Sequence, residues 1–214
     1  KDIFAQFAPT KTSRHSVNST AGIHDPKESP KLITGHVECV DCHNPHMANS
    51  STATPPEVSG RLDGVSGVSI DDVPLNTAAK EYEICFKCHA SSSAQSIFPP
   101  IPRVITEHNT RLEFQTNNPS YHPVAGAGAS ANVPSLIVTL TTSSKIYCTD
   151  CHSDESIANE GSGSRGPHGS QYAPILKEQY KTTNDNILYN GSNFALCYGC
   201  HYESSILFNV TFQK

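Results

Sequence analysis

All eight cysteines of this 214-residue chain fall into four C-x-x-C pairs, and a histidine follows each pair directly. The segments are Cys39-Val-Asp-Cys42-His43, Cys85-Phe-Lys-Cys88-His89, Cys148-Thr-Asp-Cys151-His152 and Cys197-Tyr-Gly-Cys200-His201. Eleven histidines scattered at random would follow all four pairs roughly one time in a hundred thousand, and C-x-x-C-H is the attachment signature of c-type haem. The spacing answers a chemical need. Two thiols add to the two vinyl groups on one porphyrin edge, after which the adjacent imidazole swings under the ring to reach iron. The eight cysteines are therefore expected to anchor four haems, with His43, His89, His152 and His201 as proximal iron ligands.

Other uses of paired cysteines fit less well. Cys₄ zinc sites have no need of a histidine after every pair. Disulfide frameworks space their cysteines irregularly. A thioredoxin-like redox motif wants one C-x-x-C at a helix N-terminus within a βαβ pattern, and no such pattern is visible.

Composition agrees with a cofactor-filled interior. Apolar residues with glycine are about 38% of the chain, with no Trp and one Met, against roughly 45–50% for a globular domain. Four haems in 214 residues is one per about 53, a density at which the porphyrins supply most of the core that the side chains lack. The expected fold is mostly irregular coil with short helices and very few strands, built around a chain of four haems. A formal charge of −5 and a pI near 6.1 exclude the basic stripe of a nucleic-acid binder. No run of about 18 apolar residues is present to span a membrane. The chain begins at Lys1 rather than Met and so reads as a processed, mature form. Haem is attached to c-type motifs outside the cytoplasm, so the protein is expected to be exported.

Seven histidines remain for the sixth iron positions: His15, His24, His36, His46, His108, His122 and His168. Met47 is the only methionine, so a Met/His haem is open to one site at most, and bis-histidine ligation with low potentials is the economical reading. An internal repeat narrows the choice. Phe7, Ser13, His15 and Val17 recur at the same relative places as Phe114, Ser120, His122 and Val124. The distances from histidine to the next motif are 24 (15 to 39) and 26 (122 to 148), and those to the closing motif are 46 (39 to 85) and 49 (148 to 197). Serines and an Ile/Phe pair follow both closing motifs: Ile97 and Phe98 in one, Ile206 and Phe208 in the other. The chain thus reads as a single tetrahaem domain of two tandem dihaem repeats, about 1–106 and 107–214.

The repeat makes His15 and His122 equivalent candidates for distal ligands. His46, in Cys42-His43-Asn-Pro-His46, lies too near His43 to serve the same iron and suits a second, closely paired haem. His168 sits in a tight turn, Gly166-Pro-His168-Gly169. His24 and His36 are reserves, and His108, in a polar stretch, is expected to be solvated. A short strand is expected at Leu136–Leu140, with helical turns around Ala78 to Cys88 and Phe194 to His201. Pro and Gly punctuate nearly everything else, including Pro55-Pro56, Pro99-Pro100, Gly126-Ala-Gly128 and Gly161-Ser-Gly163. The N-x-S/T matches at Asn18, Asn49, Asn190 and Asn209 are no more than chance gives in so Asn- and Ser-rich a chain.

Segments such as Gly35-His36-Val-Glu-Cys39-Val-Asp-Cys42-His43-Asn-Pro-His46, Ser120-Tyr-His122-Pro-Val124 and Gly166-Pro-His168-Gly-Ser170 resemble the multihaem c-type cytochromes of metal-reducing bacteria. At this length and haem count the chain is similar to the group that polymerises into extracellular filaments, the cytochrome nanowires. The resemblance implies bis-His haems in one continuous chain of alternating stacked and T-shaped pairs, with a histidine of one subunit ligating a haem of its neighbour. The repeat supplies a separate reason to expect such a ligand. The interior junction from Phe98 to His122 is 24 residues, while 6 residues after Phe208 and 15 up to His15 of a next chain make a junction of similar length, 21. If His122 serves the haem on Cys85 and Cys88, His15 would serve the haem on Cys197 and Cys200 of a neighbour. Such a head-to-tail contact forms open filaments when its rotation does not close. The apolar ends, Ile206-Leu-Phe208 with Val210 and Phe212, and Ile3-Phe4 with Phe7, suit that interface. This scheme leaves the haem on Cys39 and Cys42 to His24 or His36.

Three functions compete. The first is a polymeric electron conductor, without substrate turnover, delivering respiratory electrons from an upstream donor to an extracellular acceptor at or beyond the outer cell surface. The second is a monomeric periplasmic shuttle. The third is a multihaem reductase, which needs an open iron position and distal groups that activate a substrate; seven histidines for four positions argue against it.

Overall fold

The computed structural model describes residues 2–17, 24, 36–91, 109–158, 165–181, 183 and 188–208. The repeat boundary near 106, His108, Ile97-Phe98, Pro99-Pro100, Gly161-Ser-Gly163, Val210, Phe212, Asn18 and Asn209 lie outside the described residues.

Among the described residues the chain is mostly coil. Its α-helices are α1 (Cys39–Cys42), α2 (Glu81–His89), α3 (Ala195–Tyr198) and α4 (Glu203–Phe208), and its strands are β1 (Ser13–Arg14), β2 (Gly67–Val68), β3 (Pro74–Leu75) and β4 (Gly169–Ser170). The strands form two small antiparallel sheets, β1 with β4 and β2 with β3. No described helix is long and apolar enough to cross a membrane.

Two compact units divide the chain. One comprises residues 16–129 and 145–148; the other comprises 1–15, 130–144 and 149–214. The first owes its core to α2. Glu81 and Glu83 open that helix and Lys87 and His89 close it, the charge order that the helix dipole favours. Glu83 reaches back to accept the N–H groups of Ala79 and Lys80 at 2.7 and 3.0 Å, satisfying donors that the first turn leaves open. Tyr82 and Phe86, one turn apart with ring centroids 5.3 Å apart, share a face. That face packs with Val68, Ala90 and Val124, while Phe114, Ile146 and Cys148 close the edge. Val65, Ala78 and Ile84 form a second cluster, against which Cys42, Val58 and Leu62 rest.

The second unit is held differently. Of the ten buried apolar residues among those described, it contributes Ile175 and Leu176 alone, and its other buried side chains are Ser153, Asp154 and Ser170. Backbone pairing does the joining. Ser13 faces Ser170 and Arg14 faces Gly169, Lys177 N–H donates to Cys151 C=O at 3.0 Å, and Lys181 N–H to Asn193 C=O at 2.8 Å.

The helical expectations correspond to α2 and to the 3₁₀ turn Gly191–Phe194 that runs into α3. The strand expected at Leu136–Leu140 does not form. Leu136 makes one isolated bridge, to His201, and Leu140 N–H turns back to Ile137 C=O at 3.0 Å. Alternating β-branched residues make a strand only where a partner ladder runs alongside, and here the partner segment ends after three residues.

Candidate functional site

Each C-x-x-C-H segment rides on a helical turn, which sets thiols three residues apart on one face. The first is α1 itself, the second lies within α2, the third starts on a 3₁₀ turn (Cys148–Asp150), and the fourth starts at the end of α3. At the first motif, Asp41 accepts the Glu38 N–H at 2.7 Å, a reciprocal cap that starts a helix four residues long. All eight cysteines are free thiols. Burial pushes Cys42 and Cys88 up to about 12 and Cys151 up to about 11. These are neutral thiols, unlike the low-pKa thiolates of redox or catalytic cysteines.

The histidines that close the motifs carry the most specific geometry. His43 Nδ1 lies 3.0 Å from the Arg61 carbonyl oxygen. His152 Nδ1 lies 3.0 Å from that of Pro174. A carbonyl only accepts, so Nδ1 carries the proton in both rings and the lone pair of the neutral imidazole is on Nε2. That is the tautomer an iron ligand requires. His201 Nδ1 lies 2.9 Å from the Ser135 hydroxyl, which can take the same role.

Consecutive motifs are neighbours within each unit. In the first, Lys87 of the second motif donates its Nζ–H to the Asp41 carbonyl of the first. Burial, ahead of the nearby thiols, sets the lowered pKa of this lysine. Cys85 hydrogen-bonds Cys148, the opening cysteine of the third motif, and this bond with burial drives Cys85 upward. In the second unit, Cys151 lies within electrostatic reach of Cys200 and Cys197 of the fourth motif.

Two pairs of distal candidates come together. Next to the β1–β4 ribbon, His15 N–H donates to His168 C=O at 3.2 Å, and the His168 ring meets Phe7 edge-on at 5.4 Å. Cross-strand neighbours of this kind project from the same face. Gly169 permits the approach, since a methyl group there would fall 2.0 Å from the Gln6 carbonyl oxygen. The second pair is His24 and His36, both buried, with ring centroids 4.5 Å apart. Both Asp41 carboxylate oxygens lie 2.9 Å from His24 Nδ1, so Nδ1–H donates and Nε2 is the nitrogen turned away from the carboxylate. In His36 it is Nε2 that meets Glu38, at 3.1 Å. That bond from His36, with the His24 N–H, holds the Glu38 carboxyl below its ordinary range. Of these two reserves, His24 is the one oriented to ligate through Nε2, with a carboxylate behind it. His46 and His122 are exposed. His46 is fixed by its N–H to Asn44 Oδ1 at 3.1 Å.

The Nδ1 partners Arg61, Pro174 and Ser135 were invisible in the sequence, because any residue can offer a carbonyl and serine is abundant. Asp41 and Glu38 left a faint signal as acidic residues within and beside the first motif. Among the described residues no group of three or more His, Cys, Asp or Glu side chains could hold a metal ion. A haem iron asks less, since the porphyrin supplies four ligands and the protein two. The residues present fit that group: paired thiols on helical turns, each followed by an imidazole, two of which point Nδ1 at a carbonyl oxygen. Against protein-family models, curated proteins and solved structures the chain gives no match.

Proposed function

We propose that this chain is an exported tetrahaem c-type cytochrome that conducts electrons between closely packed bis-His haems, assembled head to tail as an extracellular filament for respiratory electron export. The observation that carries the reading is four complete C-x-x-C-H motifs, with Lys87 of the second bonded to the Asp41 carbonyl of the first and Cys85 of the second bonded to Cys148. Bound haem would supply a one-electron Fe(III)/Fe(II) couple at each motif.

The residues divide the work as follows. Cys39/Cys42, Cys85/Cys88, Cys148/Cys151 and Cys197/Cys200 anchor the groups, and His43, His89, His152 and His201 ligate iron. Arg61 and Pro174 keep two of those rings in the ligating tautomer. His15 and His122 are the distal ligands proposed from the repeat, and His46 and His168 those proposed from their local settings, with His24 held ready by Asp41. Apolar side chains stand exposed at both chain ends, Phe4 at 88% and Phe208 at 72%, with Ile206 and Leu207 beside the latter. They support a head-to-tail contact in which His15 reaches a haem of the neighbouring copy.

Electron microscopy of the native protein without detergent, with an absorption spectrum of the same fraction, tests the reading. Filaments with a low-spin c-type spectrum are expected, and His15→Ala is expected to abolish the filaments and leave one iron per subunit with an altered spectrum. Discrete monomers with the same low-spin spectrum would instead make the protein a diffusing periplasmic shuttle. A high-spin spectrum would point to a reductase.

A further inference from the structure

The short pairing beside the fourth motif has a chemical use. Ile137 N–H donates to Cys200 C=O at 3.0 Å and Tyr202 N–H to Ser135 C=O at 2.6 Å, with Leu136 bridging His201. These bonds run on both sides of Ser135 and His201 and so seat the Ser135 hydroxyl 2.9 Å from His201 Nδ1. An imidazole that ligates iron through Nε2 keeps its proton on Nδ1. The Ser135 oxygen then can only accept.

At His43 and His152 the acceptor is a peptide carbonyl, each at 3.0 Å. Amide resonance loads negative charge onto that oxygen, which makes it a stronger acceptor than an aliphatic hydroxyl. A stronger acceptor pulls the Nδ1 proton away from the ring and raises the basicity of Nε2. A more basic axial ligand favours Fe(III) and lowers the potential. His201, with the weaker acceptor, is the poorer donor of the three.

We propose that Ser135 is a positioning residue that sets the donor strength of His201 and holds the haem on Cys197 and Cys200 at a higher potential than those on the first and third motifs. The proposal rests on the haem reading above. It makes the fourth motif an electron-accepting end and places control of that bias on one replaceable side chain. The corresponding groups at His43 and His152 are main chain and cannot be deleted by substitution.

Redox potentiometry on the holoprotein, followed by visible absorbance, provides the test with Ser135→Ala, Ser135→Thr and Ser135→Asn. Deleting the acceptor in Ser135→Ala is expected to move one of the four transitions to a more positive potential, and Ser135→Thr, which keeps the hydroxyl, to leave it in place. Ser135→Asn, which presents an amide carbonyl, is expected to move the same transition the other way. In the unaltered protein that transition is one of the two highest. Unmoved potentials in Ser135→Ala overturn the proposal, as do equal shifts in the Ala and Thr variants, a positive shift in Ser135→Asn, or a responding transition among the two lowest. Intact mass, taken first, separates this from the parent reading: an unaltered protein without four covalent haems overturns the haem assignment itself.

Discussion

Lys11 closes an ion pair with Glu155 and lies 3.9 Å from the fully buried Asp154, fastening the N-terminal segment beside the third motif within one unit. Burial works to raise the Glu155 pKa, but the Lys11 bond and the backbone N–H groups of Glu155 and Gln171 outweigh it, and the net shift is downward. A carboxylate lowered by folding contributes stability that is present in full above its ordinary value of 4.5 and is lost as pH falls through its lower folded value. Denaturant midpoints measured across the acid range are therefore expected to fall below about pH 4.5, and Glu155→Gln is expected to flatten that fall while lowering the midpoint at neutral pH. An equally steep acid limb in the variant would place the loss elsewhere. Nothing in residue order singles out Lys11 and Glu155, because an ion pair 144 residues apart in the chain leaves no local pattern.

Helix α2 is the element whose formation is most legible from its residues. Acidic and basic ends, a back-reaching Glu83 and an i, i+4 aromatic pair all point the same way. Phe86 is 2% exposed and touches the rest of its cluster. Phe86→Ala is expected to cost about 3–5 kcal/mol, read as a shift in denaturant midpoint at unchanged slope. The β1–β4 ribbon was not legible, since two-residue strands carry no periodicity to detect. Its weak point is Gly169, where the obstacle to a side chain is the Gln6 backbone and cannot rotate away. Gly169→Ala is expected to separate His15 from His168, seen as faster hydrogen exchange at the His15 amide. Leu136–Leu140 teaches the converse. Its residues favour a strand, but the chain offers it only the three residues around His201, and those are occupied in placing Ser135.

Among the described residues, buried polar and charged side chains are as prominent as apolar ones. Ten apolar side chains are buried among the described residues, against twelve polar or charged ones that include Glu81, Glu83, Lys87 and Asp154. Such an interior gains little from water exclusion by side chains alone. On the proposed haem reading, cleaving the thioethers and removing the haems is expected to leave a chain without a cooperative thermal transition by near-ultraviolet circular dichroism, where the haem-loaded protein is expected to show one. A cooperative transition retained after removal would mean that the polypeptide builds its own core.

The local geometry of the motifs was readable from residue order: thiols three apart and an imidazole next to the second are set by covalent connectivity and one helical turn. The scarcity of regular structure was readable too, since Pro, Gly, Ser and Asn punctuate most of the chain outside α2. Which acceptor meets each Nδ1, the pairing of His15 with His168, and the burial of His24 and His36 against Asp41 and Glu38 were decided only when distant segments met. Those contacts depend on where backbone carbonyls and carboxylates end up in space, and residue order carries no direct record of that.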